Sequence, residues 1–152
     1  LPAGNVLNSG TGFLNPVEET TLTVPSTATK VITVGAYDAR FDQAAAFSGR
    51  GYTRATNQVK PDLVAPGVEI MSCAPGGGYQ VRTGTSMATP FVTGSAALLM
   101  QWGIVNGNDA YLYGEKMKAY LIRGARKLPG FTVYPNPVLG WGALCTANSI
   151  PR

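Results

Sequence analysis

The 152 residues are enough for one domain with a real core, and 45% apolar content with a mean hydropathy of +0.06 excludes a disordered polar segment. The formal net charge of +4 comes from scattered bases with no strip that alternates them with aromatics, which excludes a nucleic-acid interface as the main role. The longest apolar run is broken by Thr93, Gly94, Ser95 and Gln101, which argues against a membrane span.

Taken in order, Gly4-Asn5 reads as a turn. Residues 6–20 read as a loop, with Gly10, Gly12, Asn15 and Pro16 ahead of the acidic pair Glu18-Glu19. Residues 21–25 are short, β-prone and ended by Pro25. Residues 30–36, Lys-Val-Ile-Thr-Val-Gly-Ala, form a β-branched run that suits a strand buried on both faces. After a turn around Phe47-Ser48 and the stretch Lys60-Pro61-Asp62, residues 68–72 alternate like a strand. Gly76-Gly77-Gly78 then turns the chain. No Gly-Lys-Ser/Thr follows, so the triple glycine is a turn and not a phosphate cradle.

Residues 91–102 have helical length and are apolar nearly all round, which predicts a buried helix. Ser86 falls at its first turn, where unpaired N–H groups and the positive end of the helix dipole favour developing negative charge. That ground suits a nucleophile whose reaction passes through an oxyanion. The plainer alternative makes Thr85 or Ser86 a helix N-cap. Pro90 predicts a loose or kinked first turn. Farther on, Asp109 is expected to cap a helix running to Arg123 and stopped by Gly124, and Gly140-Trp141-Gly142 reads as a turn near the end. Cys73 and Cys145 can form one disulfide or remain two thiols, and free thiols are the reading adopted. Histidine is absent, so no Ser-His-Asp triad can be assembled from these residues alone.

Gly84-Thr85-Ser86-Met87-Ala88-Thr89-Pro90, followed by Val92-Thr93-Gly94, resembles the nucleophile segment of the subtilisin-like serine proteases. Lys60-Pro61-Asp62-Leu63-Val64-Ala65-Pro66-Gly67 resembles a second signature of that family, and the Val-Gly-Ala ending of the first strand is similar too. The resemblance implies part of a three-layer α/β/α fold with a mainly parallel sheet, and residues 1–152 would form the C-terminal part of one catalytic domain. It implies a serine endopeptidase with Ser86 as nucleophile and the Asn5 side chain as oxyanion donor. Gly4, Val6, Thr23, Val24 and Thr85 would bind substrate; Thr23 and Val24 would line the primary pocket with Val6 near its rim, and as these three carry no charge the pocket is expected to prefer apolar side chains. Asp62 would be structural, and Pro25 falls where a cis peptide is usual. The triad acid and histidine would come from the N-terminal half of the same protease, the expected partner beside a peptide or protein substrate. No nucleic-acid or membrane partner is expected, and the location is expected to be secreted or cell-surface. No cofactor or metal is expected; the resemblance leaves calcium open but assigns it no residue. The alternatives are a pseudoprotease acting as a binding or scaffold protein, a noncatalytic interaction module, and a sedolisin-like peptidase, against which Asn5 and Met87 argue.

Overall fold

The computed structural model describes residue 12 and residues 14–151. Among them the strands are β1 (Val34–Asp38), β2 (Gln43–Ala44), β3 (Gly51–Tyr52), β4 (Val59–Lys60), β5 (Leu63–Pro66), β6 (Ile70–Cys73) and β7 (Tyr79–Arg82). The helices are α1 (Thr85–Met100), which continues into a π-helical turn over Gln101–Val105, then α2 (Gly114–Gly124) and α3 (Thr146–Ser149).

The central sheet has the order β2-β1-β5. β1 and β5 run parallel with Val34 opposite Leu63 and Tyr37 opposite Pro66, while β2 joins antiparallel with Tyr37 opposite Ala44. Ala143 extends the sheet beside β5 through a parallel bridge to Val64, held by Val64 N–H donating to the Gly142 carbonyl (2.9 Å) and Leu144 N–H donating to the Val64 carbonyl (2.8 Å). β3–β4 and β6–β7 are separate antiparallel hairpins.

Alternation along the strands divides the core. Ala36, Leu63 and Ala65 face α1 and α2, where they pack with Ala88, Val92, Leu99, Met117 and Leu121. Tyr37 and Val64 face the other way and pack with Leu128, Leu139 and Ala143. That second face is therefore covered by the irregular chain around residues 128–143 and not by a helix, and among the described residues the fold is α/β with helices on one side.

Three expectations change. The first strand begins at Val34, not Lys30, because the ladder starts only where Leu63 is opposite; just before it, Thr33 N–H donates to the Asp62 carboxylate (2.7 Å). The second helix begins at Gly114, not after Asp109, because the Asp109 carboxylate is taken by Lys116 (2.6 Å) and the Tyr120 hydroxyl (3.0 Å). The helix predicted to be buried all round is buried along one stripe, Ala88, Val92, Ser95 and Leu99, because the described residues pack on one face of it only. Phe91, Leu98 and Met100 on its other faces are exposed. Extended through the π-helical turn, the segment Thr85–Val105 has 21 residues and a mean hydropathy of 1.2, enough in length and composition to cross a bilayer. Its stripe packs on β1 and β5, which makes it the core helix of this domain.

Asp62 ties the sheet to α2. Its carboxylate meets Lys60 Nζ at 2.8 Å and Lys118 Nζ at 2.8 Å. Lys60 also donates to the Val31 carbonyl, and Lys118 donates to the carbonyls of Thr29 and Val31. The Lys60 side chain is only 1% exposed, and this burial pulls its pKa below the ordinary lysine value although Asp62 acts against the shift. The resemblance implies a structural Asp62, and the carboxylate's partners are those of a buried structural group. It sits before β5, whereas the turn carrying Ser86 meets the chain just after β5, roughly 16 Å away along the strand.

Candidate active site

Gly67, just beyond β5, fixes where the serine turn lies. Its N–H donates to the Tyr37 carbonyl (3.0 Å), and its own carbonyl accepts from Gly84 N–H (2.8 Å). A Cβ at Gly67 would lie 2.6 Å from Ala36 Cβ and 2.9 Å from the Gly84 carbonyl oxygen, so only glycine lets the turn approach the sheet this closely. β7 delivers the chain to this point, and Thr83 Oγ1 accepts from Glu69 N–H (2.9 Å) across the hairpin.

Gly84 is the N-cap of α1, with φ 155° and ψ 164°, a region that essentially only glycine occupies. No side chain caps the helix. This removes the plainer reading of Thr85 or Ser86 as a capping residue. Met87 N–H donates to the Gly84 carbonyl (3.0 Å). The hydroxyl bonds of the first turns run from Thr89 to the Thr85 carbonyl (3.1 Å) and from Thr93 to the Thr89 carbonyl (3.3 Å), and neither uses Ser86. Ser86 is exposed at an uncapped helix start with no acidic residue in the first turn.

α1 is helical without interruption through Pro90, where the sequence predicts a loose or kinked first turn. The missing N–H would have bonded the carbonyl four residues back, that of Ser86, so the proline removes one helical partner from the serine's own peptide.

Thr23 and Thr85 line one cleft of about 650 Å³, together with Thr21, Phe47, Glu18 and Arg50. Thr21 N–H donates to the Arg50 carbonyl (3.1 Å) and Arg50 N–H donates to Thr21 Oγ1 (3.0 Å), which joins the cleft's two walls. Val24 does not line this cleft and is 87% exposed; the Val24–Pro25 peptide is cis. Asn5, Gly4 and Val6 lie outside the described residues. Sequence reasoning missed Arg50 and Glu18, which pair at 3.3 Å and give the cleft charge where only Thr and Val were expected. No local signal marks them, because a backbone pairing 29 residues apart brings them to the cleft.

Cys73 and Cys145 are free thiols. Among the described residues no three His, Cys, Asp or Glu side chains cluster as a metal site.

The sequence model of the subtilase family, peptidase S8, matches residues 2–142. The serine protease AprX of Bacillus subtilis (strain 168) is 34% identical over 98% of the chain, and the match covers 36% of AprX. The minor extracellular protease Vpr of the same organism is 34% identical over 72% of the chain and 14% of its own length. The solved structure of the Clostridium perfringens CspB protease superposes with a TM-score of 0.89 at 47% identity, covering 94% of this chain and 30% of that one. The chain thus spans about a third of the length of AprX and of CspB. Some relatives are named as extracellular proteases and others as intracellular ones. With the family match running through both signature segments and the CspB fold reproduced across nearly every residue, the chain belongs to the subtilase family.

Proposed function

We propose that this chain is the nucleophile-bearing part of a serine endopeptidase. The observation that carries the reading is an exposed Ser86 hydroxyl, outside the bonds of its own turn, at a helix start that no side chain caps. Ser86 Oγ attacks the carbonyl carbon of a peptide bond and gives its proton to a histidine supplied by the N-terminal half of the protease. The tetrahedral oxyanion is held by the Ser86 N–H and the Asn5 carboxamide. Collapse expels the amine, which takes the proton from the histidine. Water then hydrolyses the Ser86 ester by the same route.

Lys60 does not substitute for that base, because it is buried against Asp62 at the opposite end of β5 from the serine turn, and the chain has no histidine. The exposed apolar residues of α1, Phe91, Leu98 and Met100, offer the partner half a surface to cover. Gly4, Val6 and Thr23 are read as the walls of the substrate pocket, with Thr85 opposite. The secreted or cell-surface location is supported by the extracellular relative.

The test is labelling by a fluorophosphonate probe. The chain alone stays unlabelled, because a serine hydroxyl without a base is a weak nucleophile at neutral pH. Addition of a fragment carrying the N-terminal half brings Ser86-dependent labelling. Strong labelling of the lone chain overturns the split-site account, and no labelling of the full-length protein supports the pseudoprotease reading instead.

Met87 gives a second expected result. It is half-buried, with its sulfur close to Gly84. A sulfoxide there sets a bulky polar oxygen beside the nucleophile. Peroxide treatment of the full-length protease is expected to cut turnover with the fold intact. Full activity with Met87 shown oxidised by mass spectrometry contradicts this.

A further inference from the structure

Two hollows flank Ser86. On the Thr85 side is the cleft that contains Thr23. On the Met87 side a groove of about 290 Å³ is lined by Ile70, Ser72, Cys73, Gln80, Arg82 and Met87. In the β6–β7 ladder Ile70 stands opposite Arg82 and Ser72 opposite Gln80, so the two-residue alternation sends these four side chains to one face. Met87, the residue after the nucleophile, closes the groove at the helix end.

The groove's charge is specific. Arg82 belongs to none of the ion pairs found among the described residues. The neighbouring acid, Glu69, pairs with Arg40. With its carboxamide oxygen turned to the guanidinium, Gln80 accepts from Arg82 Nε and Nη2 at 3.0 Å each. That contact anchors the guanidinium to the hairpin and uses two of its five N–H donors. Among the described residues the other three have no partner, and they can take a carboxylate in a bidentate pair.

A peptide attacked at its carbonyl by Ser86 has its acyl part on one side of the serine and its amine part on the other. With the acyl side chain in the cleft of Thr23 and Thr85, the amine part runs over Met87 into the hairpin groove. We propose that Arg82, held by Gln80 beside Met87, selects an acidic side chain within the first two residues on the leaving-group side of the cleaved bond. The proposal rests on the reading of Ser86 as the nucleophile and of Thr23 as acyl-side pocket wall.

The experiment uses the full-length protease and internally quenched peptides that share one acyl half and carry Glu, Gln or Lys at those two positions in turn. The expected kcat/KM for Glu exceeds that for Lys by about fivefold, the scale of a solvent-exposed ion pair, and the ratio falls with added salt. In Arg82→Gln the ratio falls to about one, and in Arg82→Glu it inverts. Because each ratio is taken within one variant, loss of folded enzyme cancels. A flat wild-type profile, or a Glu preference that survives Arg82→Glu, overturns the proposal. A protease that cleaves the Gln peptide through Ser86 without charge preference refutes this inference alone. One that cleaves none of the peptides and takes no fluorophosphonate refutes the nucleophile reading and this inference with it.

Discussion

On the proposed function, replacement of Ser86 by alanine in the full-length protein is expected to lower peptide hydrolysis by roughly 10⁶-fold, the scale of the loss when subtilisin loses its own nucleophile. The oxyanion donors and substrate clefts proposed above are not altered by the change, so the remainder is what those groups would achieve with water as the attacking species. The same change leaves the fold almost untouched. Ser86 is exposed, caps no helix and lies outside the hydroxyl bonds of its turn, so alanine removes no contact that holds α1. A shift in melting midpoint of no more than about 2 °C is expected, as for surface substitutions generally. Steady-state hydrolysis of a quenched peptide and a thermal melt check the two halves. Turnover within tenfold of the parent removes Ser86 from the mechanism.

Asp62→Ala acts in the opposite way, on the fold before the chemistry. It leaves Lys60, 1% exposed, and Lys118 facing each other and the carbonyls of residues 29 and 31 with no countercharge. It also leaves the Thr33 N–H without its acceptor at the start of β1. Breaking a buried ion pair from one side costs about 3–5 kcal/mol, a large share of the roughly 5–15 kcal/mol that keeps a domain folded. The full-length protein is expected to lose most of its soluble yield and to melt far below the parent. Asp62→Asn keeps an oxygen for Thr33 N–H and should be damaged less. Lys60→Met in the Asp62→Ala background removes one of the stranded cations and should recover part of the loss. Equal melting points for the parent and Asp62→Ala would show that the cluster contributes nothing. Loss of activity with an unchanged melt would move Asp62 into the catalytic machinery, against its distance from the serine turn.

The features that read correctly from the sequence are those whose physical cause is contiguous. The serine turn needs a glycine at 84, a small hydroxyl residue two places on, and a run that continues as helix, and all of these lie within a dozen residues. The Val34–Ala36 core was legible because β-branched and small residues in a row have few other uses. The misreadings have distant causes. Asp109 has the right type for an N-cap, but Lys116 and Tyr120 reach back and take its carboxylate. Residues 30–33 look like strand, but the Val31 carbonyl and the Thr33 N–H are taken by side chains of the Lys60–Asp62–Lys118 cluster, and backbone pairing begins only at the Thr33 carbonyl, which accepts from Asp62 N–H. In the candidate site, the helix start that carries Ser86 is legible in the sequence, and Thr23 and Thr85, which the resemblance groups together, do line one cleft. The charge that Arg50 and Glu18 bring to it was not legible, because no local pattern tells that residues 21 and 50 pair.

The bridge from Val64 to Ala143 has a bearing on how the chain is made. The two residues are some eighty positions apart, and a ribosome adding about 5–20 residues per second needs roughly 4–16 s to pass from one to the other. Through that interval β5 has emerged with one flank open, and the Tyr37–Val64 side of the sheet lacks the Leu128, Leu139 and Ala143 that cover it. Pairings this distant in sequence also close slowly once both partners exist, because the loop between them must be ordered first. The nascent protein therefore presents an adhesive sheet to its surroundings for seconds, long enough to be held by chaperones or to stick to a second copy emerging nearby.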